Sequence, residues 1–303
     1  MDRPEPGSAF HRPGAVSRAA AAIEAAGFDA CFVTDHPFPP RRWVRGGGHH
    51  ALDPFVALAF AAAATDRLLL HTNCLIPAYR NPFVTAKSAA TLDALSDGRL
   101  ILGLAVGYLE GEFAALGAEF RHRGRALDEA VEMMKRAWSG EEVHARGSGF
   151  LAEGNAMLPR PVSSPHPPLW IGGNSAAALR RAVAHGDGWV PFPASERLAA
   201  AVRTRRMDGL DDLRAAVRDL RVLAEEHGRT RPLDICLTPF SHRHGAGDLD
   251  AAAFTAEVAQ LARIGVTWVS FQLPAPDPDT FARNTEQFGK RVLAPLKSAL
   301  ASG

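Results

Sequence analysis

The chain has 303 residues, long enough for one large α/β domain or two ordinary ones, and 47% of them are hydrophobic, enough for a sizeable core. A formal net charge of +1 gives no electrostatic basis for a nucleic acid or an anionic membrane as partner, which leaves small-molecule chemistry. The three cysteines, Cys31, Cys74 and Cys236, stand alone in apolar, strand-like runs, which argues against a disulfide framework or a metal site and for a reducing compartment.

The segment Met1–Pro13 is polar and contains no apolar run that could serve as a signal-peptide core. Even Phe55–Ala64 is stopped by Thr65-Asp66-Arg67, well short of the roughly 20 apolar residues that span a bilayer. A soluble cytoplasmic protein is therefore expected. Ala15–Ala26 reads as an alanine-rich helix stopped by Gly27, Ala30–Thr34 as a short buried strand, Pro54–Ala64 as a helix and Leu68–Asn73 as a strand. Pro82–Leu95 follows as helix, Leu100–Leu104 as strand, Gly111–Leu116 as a short helix, and Arg125–Trp138 as a longer one with Leu127, Val131, Met134 and Trp138 on one face. Further strands are expected at Leu169–Ile171, Gly188–Val190, Ile235–Thr238 and Trp268–Gln272. The helices between them are Ala176–Ala184, Asp211–His227 and Ala251–Ile264, with Thr280–Leu300 closing the chain.

Strands separated by helices imply parallel pairing, because the crossover must return the chain to the same end of the sheet. An α/β barrel or a doubly wound sheet follows, as a single domain over residues 1–303. There are seven strands rather than eight and the pattern opens on a helix, so the first strand of an eightfold barrel is missing or degenerate. Ser8–His11 is one candidate for it, an open barrel a second, and a start further upstream a third. The Gly- and Pro-rich stretch 139–167 reads as an insertion loop with a hairpin around Phe150 and Met157-Leu158.

Pro168-Leu169-Trp170-Ile171-Gly172-Gly173-Asn174-Ser175 carries the strongest chemical signal. An apolar strand that breaks into two glycines where a helix begins leaves backbone N–H groups free beside a helix N-terminus, which makes a phosphate seat. Gly172 and Gly173 let the backbone approach an anion, and Asn174 and Ser175 can donate or cap. The plain alternative is a tight turn with an ordinary cap.

Gly27-Phe28-Asp29, Thr34-Asp35-His36, His71-Thr72-Asn73-Cys74, Asn81-Pro82-Phe83, Gly103–Gly107, Trp170-Ile171-Gly172-Gly173 and Gly186-Asp187-Gly188-Trp189 occur in the order seen in the bacterial luciferase-like superfamily. The chain resembles it strongly from about Ala15 to Trp189, and most closely its actinobacterial branch that uses coenzyme F420, a deazaflavin, rather than FMN. The resemblance implies a TIM (β/α)8-type barrel holding a flavin-like ring at the C-terminal ends of its strands. Asp35-His36, Asn73-Cys74, Gly107-Tyr108, Gly172–Ser175 and Pro191-Phe192 each follow a predicted strand, so in a barrel they share one rim. In this family a bulge backing the ring often contains a non-proline cis peptide, and Asn73-Cys74 matches that position.

The residues expected to bind the cofactor are thus Asp35, Asn73, Cys74, Gly107, Tyr108, Gly172, Gly173, Asn174 and Ser175. His36 is the expected proton donor or acceptor, since histidine exchanges protons near neutral pH. Three departures bear on this reading. Val106 stands where FMN-using relatives place an arginine, a glutamate used as an acid by some deazaflavin dehydrogenases is replaced around Gly107-Tyr108, and the first strand is missing. The expected activity is hydride transfer between coenzyme F420 and a small organic substrate, by a homodimer without a metal. The alternatives are an FMN-dependent monooxygenase and a luciferase-fold binding protein without redox activity. His49-His50 and His242-Arg243-His244 lack partners at metal-ligand spacing and read as solvated loops. Glu112 reads as a helix N-terminal charge, Arg123, Arg125, Asp128 and Glu129 as a solvated or salt-bridged face, and Trp170 and Trp189 as core or ring-wall residues.

Overall fold

The computed structural model describes residues 9–242, 250–273 and 275–301. Its elements in chain order are α1 (Ala15–Ala25), β1 (Ala30–Val33), α2 (Arg41–Arg45), α3 (Pro54–Ala62), β2 (Leu69–Leu75), α4 (Pro82–Leu95), β3 (Leu100–Leu104), α5 (Glu110–Ala115), α6 (Arg123–Trp138), β4 (Val143–Gly147) and β5 (Phe150–Asn155). They continue with β6 (Leu169–Gly172), α7 (Ala176–His185), β7 (Gly188–Val190), α8 (Glu196–Val202), α9 (Leu210–Glu226), β8 (Asp234–Leu237), α10 (Ala251–Ile264), β9 (Trp268–Val269), α11 (Pro278–Phe288) and α12 (Ala294–Ala301). Two compact units emerge, one formed by residues 32–169 and the other by the described residues of 9–31 and 170–301.

In the first unit β2 pairs in parallel with β3, Leu70 opposite Leu100 and Thr72 opposite Leu102. β3 is buried along its whole length, as expected of a strand covered on both faces. The helices that return the chain begin at sharp signals. Asp53 accepts a hydrogen bond from Val56 N–H with Pro54 in the first helical turn, and Asn81 accepts from Phe83 N–H ahead of Pro82. Trp138 anchors α6 by donating its indole N–H to the Ala86 carbonyl at 2.9 Å. The insertion forms an antiparallel hairpin of β4 and β5 turning at Ser148-Gly149; it includes Phe150 at the start of β5, while Met157-Leu158 lie beyond its end.

In the second unit β6 pairs with β7, β7 with β8 and β8 with β9, all in parallel. Phe254, Phe288 and Val292 form a buried cluster with Phe28 and Phe271 packed against it. The closing helix expected over Thr280–Leu300 is interrupted: a π-helical turn, Gly289–Leu293, separates α11 from α12. A side chain at Gly289 would meet the Ala26 carbonyl oxygen at 2.4 Å, so the backbones approach there at the one residue that allows it. Of the candidate strand Ser8–His11, Ala9–His11 is a 3₁₀ turn and Ser8 lies outside the described residues. Among the described residues no helix is long and apolar enough to cross a membrane.

Candidate active site

β1 is followed directly by Thr34-Asp35-His36, and the three side chains go to three different partners. Asp35 is buried and faces Arg80, whose guanidinium donates to Oδ2 at 2.7 Å and to Oδ1 at 2.8 Å. The Ile76 N–H donates to Oδ2 at 2.9 Å. Both carboxylate oxygens thus have partners within the chain. Asp35 ties the chain just after β1 to the turn after β2 through a two-pronged, charge-assisted pair.

His36 takes a different partner. Its Nδ1 lies 3.2 Å from Oε2 of Glu112, and its side chain is 11% exposed. Glu112, which sequence reading placed merely as a charge at a helix start, is wholly buried at the start of α5. Oε1 accepts from Phe38 N–H at 3.0 Å and Oε2 also accepts from the Tyr79 hydroxyl at 3.1 Å. Burial first, and the Glu112 charge second, push the Tyr79 phenol well above its ordinary range, so it remains a donor.

Aromatic rings surround the His36 imidazole. Trp43 of α2 lies at 4.6 Å between ring centroids, His49 at 5.0 Å and Tyr108 at 6.1 Å. His49 is not solvated: its Nε2 lies 3.1 Å from the Thr34 hydroxyl and its ring packs on Trp43. His50 is exposed. Tyr108 is partly open to solvent at 37%. Gly107 is buried with φ +77°, and a Cβ there would come within 2.8 Å of the Phe113 ring, so this turn has room only for glycine. Gly107 also accepts from Arg123 through its carbonyl at 3.1 Å, which takes Arg123 out of a purely solvated face.

Asn73 and Cys74 lie in β2, where the pairing with β3 shifts register between Thr72 and Leu75, and the peptide joining them is cis. Both side chains are half-buried, with Cys74 Sγ 3.7 Å from Asn73 Oδ1. None of the three cysteines is joined in a disulfide, and burial pushes the Cys236 thiol up to about 12.

In the second unit Gly172 ends β6 and Gly173 turns with φ +122°. Gly173 N–H donates to the Val190 carbonyl at 3.0 Å. Asn174 is buried, and its amide brackets the chain after β7, donating to the Phe192 carbonyl at 2.9 Å and accepting from Phe192 N–H at 3.0 Å. It therefore braces the turn. Ser175 is the N-cap of α7, its hydroxyl accepting from Ala178 N–H. Among the described residues the Ala176 and Ala177 N–H groups meet no acceptor. A ten-residue helix that presents its first free N–H groups behind a glycine turn suits an anionic group such as a phosphate.

His242 is buried against the rings of Phe254 and Phe271 with Nδ1 3.0 Å from the Ser241 hydroxyl, so it too is no solvated loop residue. Arg243 and His244 lie outside the described residues. The sequence had also hidden Trp43, Tyr79 and Arg80. Only the aromatic-basic run Arg41-Arg42-Trp43 after the prolines hinted at an element there.

The chain matches the luciferase-like monooxygenase family over residues 2–253. It is 35% identical to an F420-dependent glucose-6-phosphate dehydrogenase of Intrasporangium calvum over 55% of this chain, and that match spans about half (50%) of the relative's length. An uncharacterized protein of Mycobacterium tuberculosis is 30% identical, with 91% of this chain and 93% of that one covered. Among solved structures, monooxygenase RslO1 from Streptomyces bottropensis superposes with a TM-score of 0.74 at 22% identity, covering 97% of both chains.

Proposed function

The chain belongs to the luciferase-like monooxygenase family and has its α/β, TIM-barrel-type fold, and from that premise we propose that it is an oxidoreductase moving a hydride between coenzyme F420 and a small organic substrate. Bound coenzyme F420 supplies the ring that carries the hydride. The chain supplies position and proton handling. The observation that carries this reading is the imidazole of His36, held at Nδ1 by a buried carboxylate and ringed by Trp43, His49 and Tyr108. A histidine so held has its second nitrogen available to give or take the proton that accompanies hydride transfer. The free N–H groups at the start of α7, behind Gly172–Ser175, suit the cofactor phosphate.

F420 is favoured over FMN by the likeness to F420-dependent dehydrogenases and by Val106, which offers no cation to an FMN phosphate. The second reading, an FMN-dependent monooxygenase, is supported by the likeness to a monooxygenase structure. Calorimetry with oxidised F420 and with FMN separates the two. We expect F420 to bind more tightly, by the roughly 1.5–3 kcal/mol of one charged hydrogen bond. Tighter FMN binding, together with oxygen uptake when reduced FMN is supplied, would favour the monooxygenase. Binding of neither cofactor would leave a ligand-binding protein without redox activity.

We also propose a cytoplasmic homodimer. α3 buries Ala57, Leu58 and Ala61 on one side and exposes Val56 and Phe60 on the other, an apolar face suited to a second copy. Sedimentation equilibrium tests it, and a monomer at micromolar concentration would remove it.

A further inference from the structure

Two of the three groups that reach Glu112 donate to it. Phe38 N–H can only donate, and it occupies Oε1 at 3.0 Å; the Tyr79 hydroxyl donates to Oε2 at 3.1 Å. No water-exposed surface is left on this residue. With Glu112 an acceptor on this side as well, the nitrogen 3.2 Å from Oε2, His36 Nδ1, carries the hydrogen. A neutral imidazole protonated on Nδ1 has its lone pair on Nε2.

From this we infer that Glu112 is a positioning residue, which fixes His36 in the Nδ1–H tautomer, aims Nε2 as the single proton-exchanging atom of the site, and is itself held in place by Phe38 N–H and the Tyr79 hydroxyl. The inference rests on the reading of His36 as the proton-handling group. It adds to that reading the atom that does the work and the residue that selects it. Free imidazole side chains favour the other tautomer, so an Nδ1–H state is a positive sign of the carboxylate's hold.

Glu112→Gln is nearly isosteric and makes a sharp prediction. Phe38 N–H still needs an acceptor and takes the amide oxygen, which turns the amide NH₂ toward His36 and Tyr79. His36 Nδ1 must then accept, and the hydrogen moves to Nε2. Nitrogen NMR of ¹⁵N-histidine-labelled protein reads the tautomer directly, with His36→Ala identifying the resonance. The expected result is Nδ1–H in the parent chain and Nε2–H in Glu112→Gln.

Single-turnover hydride transfer, followed by the absorbance of F420, gives the second reading. Glu112→Gln should slow transfer by about tenfold or more, and by no more than His36→Ala, which removes the whole of the about 10²–10⁴-fold contribution of an acid–base group. In the His36→Ala background, Glu112→Gln should cost nothing further, since a residue acting through His36 has nothing left to act on. A purely structural role would slow both backgrounds alike.

An Nε2–H tautomer in the parent chain overturns the inference, and this measurement stands even if Glu112→Gln does not fold. An equal slowing of both backgrounds also overturns it, as does a switched tautomer without loss of rate while His36→Ala is slow. If the tautomers follow the prediction but His36→Ala transfers hydride at the parental rate, the positioning holds and the acid–base reading of His36 is what fails.

Discussion

His71 sets a stability trend that a single substitution exposes. It lies in the middle of β2, is 3% exposed, and sits so close to β3 that a Cβ on Gly103 would come within 2.7 Å of its ring. Burial lowers its pKa from 6.5 to about 3, because an imidazolium there would lose its hydration. Between those values the unfolded chain binds a proton that the folded chain refuses, so stability rises with pH across the window and falls as pH drops below about 6.5. The slope is about 1.4 kcal/mol per pH unit where the two states differ by a full proton, which amounts to about 2 kcal/mol lost between pH 8 and pH 5. That is a large share of the roughly 5–15 kcal/mol that holds a typical domain. His71→Gln removes the titration while keeping a polar side chain. Urea unfolding followed by tryptophan fluorescence at pH 8, 7, 6 and 5 should show the variant less stable at pH 8, with the gap narrowing by about 2 kcal/mol as the pH reaches 5. Carboxylate protonation acts on both proteins and cancels in the difference. A gap that stays constant with pH would refute the assignment of this slope to His71.

Two further outcomes follow, one from the start of α7 and one from the turn at Gly107. Ala176→Glu places a carboxylate in the first turn of α7, where it favours the helix but repels a bound phosphate; we expect unchanged or slightly higher thermal stability with F420 affinity at least tenfold weaker by fluorescence titration, and unaltered affinity would remove the seat. Gly107→Ala forces a side chain into a left-handed turn against Phe113, so it should lower stability by about 1–3 kcal/mol in chemical denaturation, and a neutral result would mean that the turn relaxes freely.

Most strands and helices were legible because their signals are local. Asn81-Pro82 and Asp53-Pro54 mark helix starts within a few residues, and apolar runs such as Leu100–Leu104 have the length of buried strands. The interruption at Gly289 was not legible, since it depends on Ala26, more than two hundred positions earlier. The site divides in the same way. Asp35-His36 and Gly172–Ser175 stand out as motifs, but whether a polar side chain faces a ligand or braces the chain depends on distant partners. Asp35 is claimed by Arg80, and Asn174 by Phe192, neither of which has a fixed spacing from it. Glu112 illustrates the converse. From its neighbours it is one more acid at a helix start, and only the fold brings it to a histidine 76 positions away.

The span between His36 and Asp53 is fastened at both ends and carries exposed side chains in its middle. Phe38 is pinned by Glu112, His49 by Thr34, and Asp53 caps α3. Gly48 lies against the Trp43 indole, which a side chain there would strike at 2.4 Å. Arg41, Arg42 and Arg45, by contrast, are exposed. For an engineer seeking to redirect this protein to new substrates, the span is a replaceable cassette with fixed ends. Libraries belong at Arg41, Arg42 and Arg45, while Trp43, Gly48 and His49 are kept so that the imidazole beneath them keeps its setting.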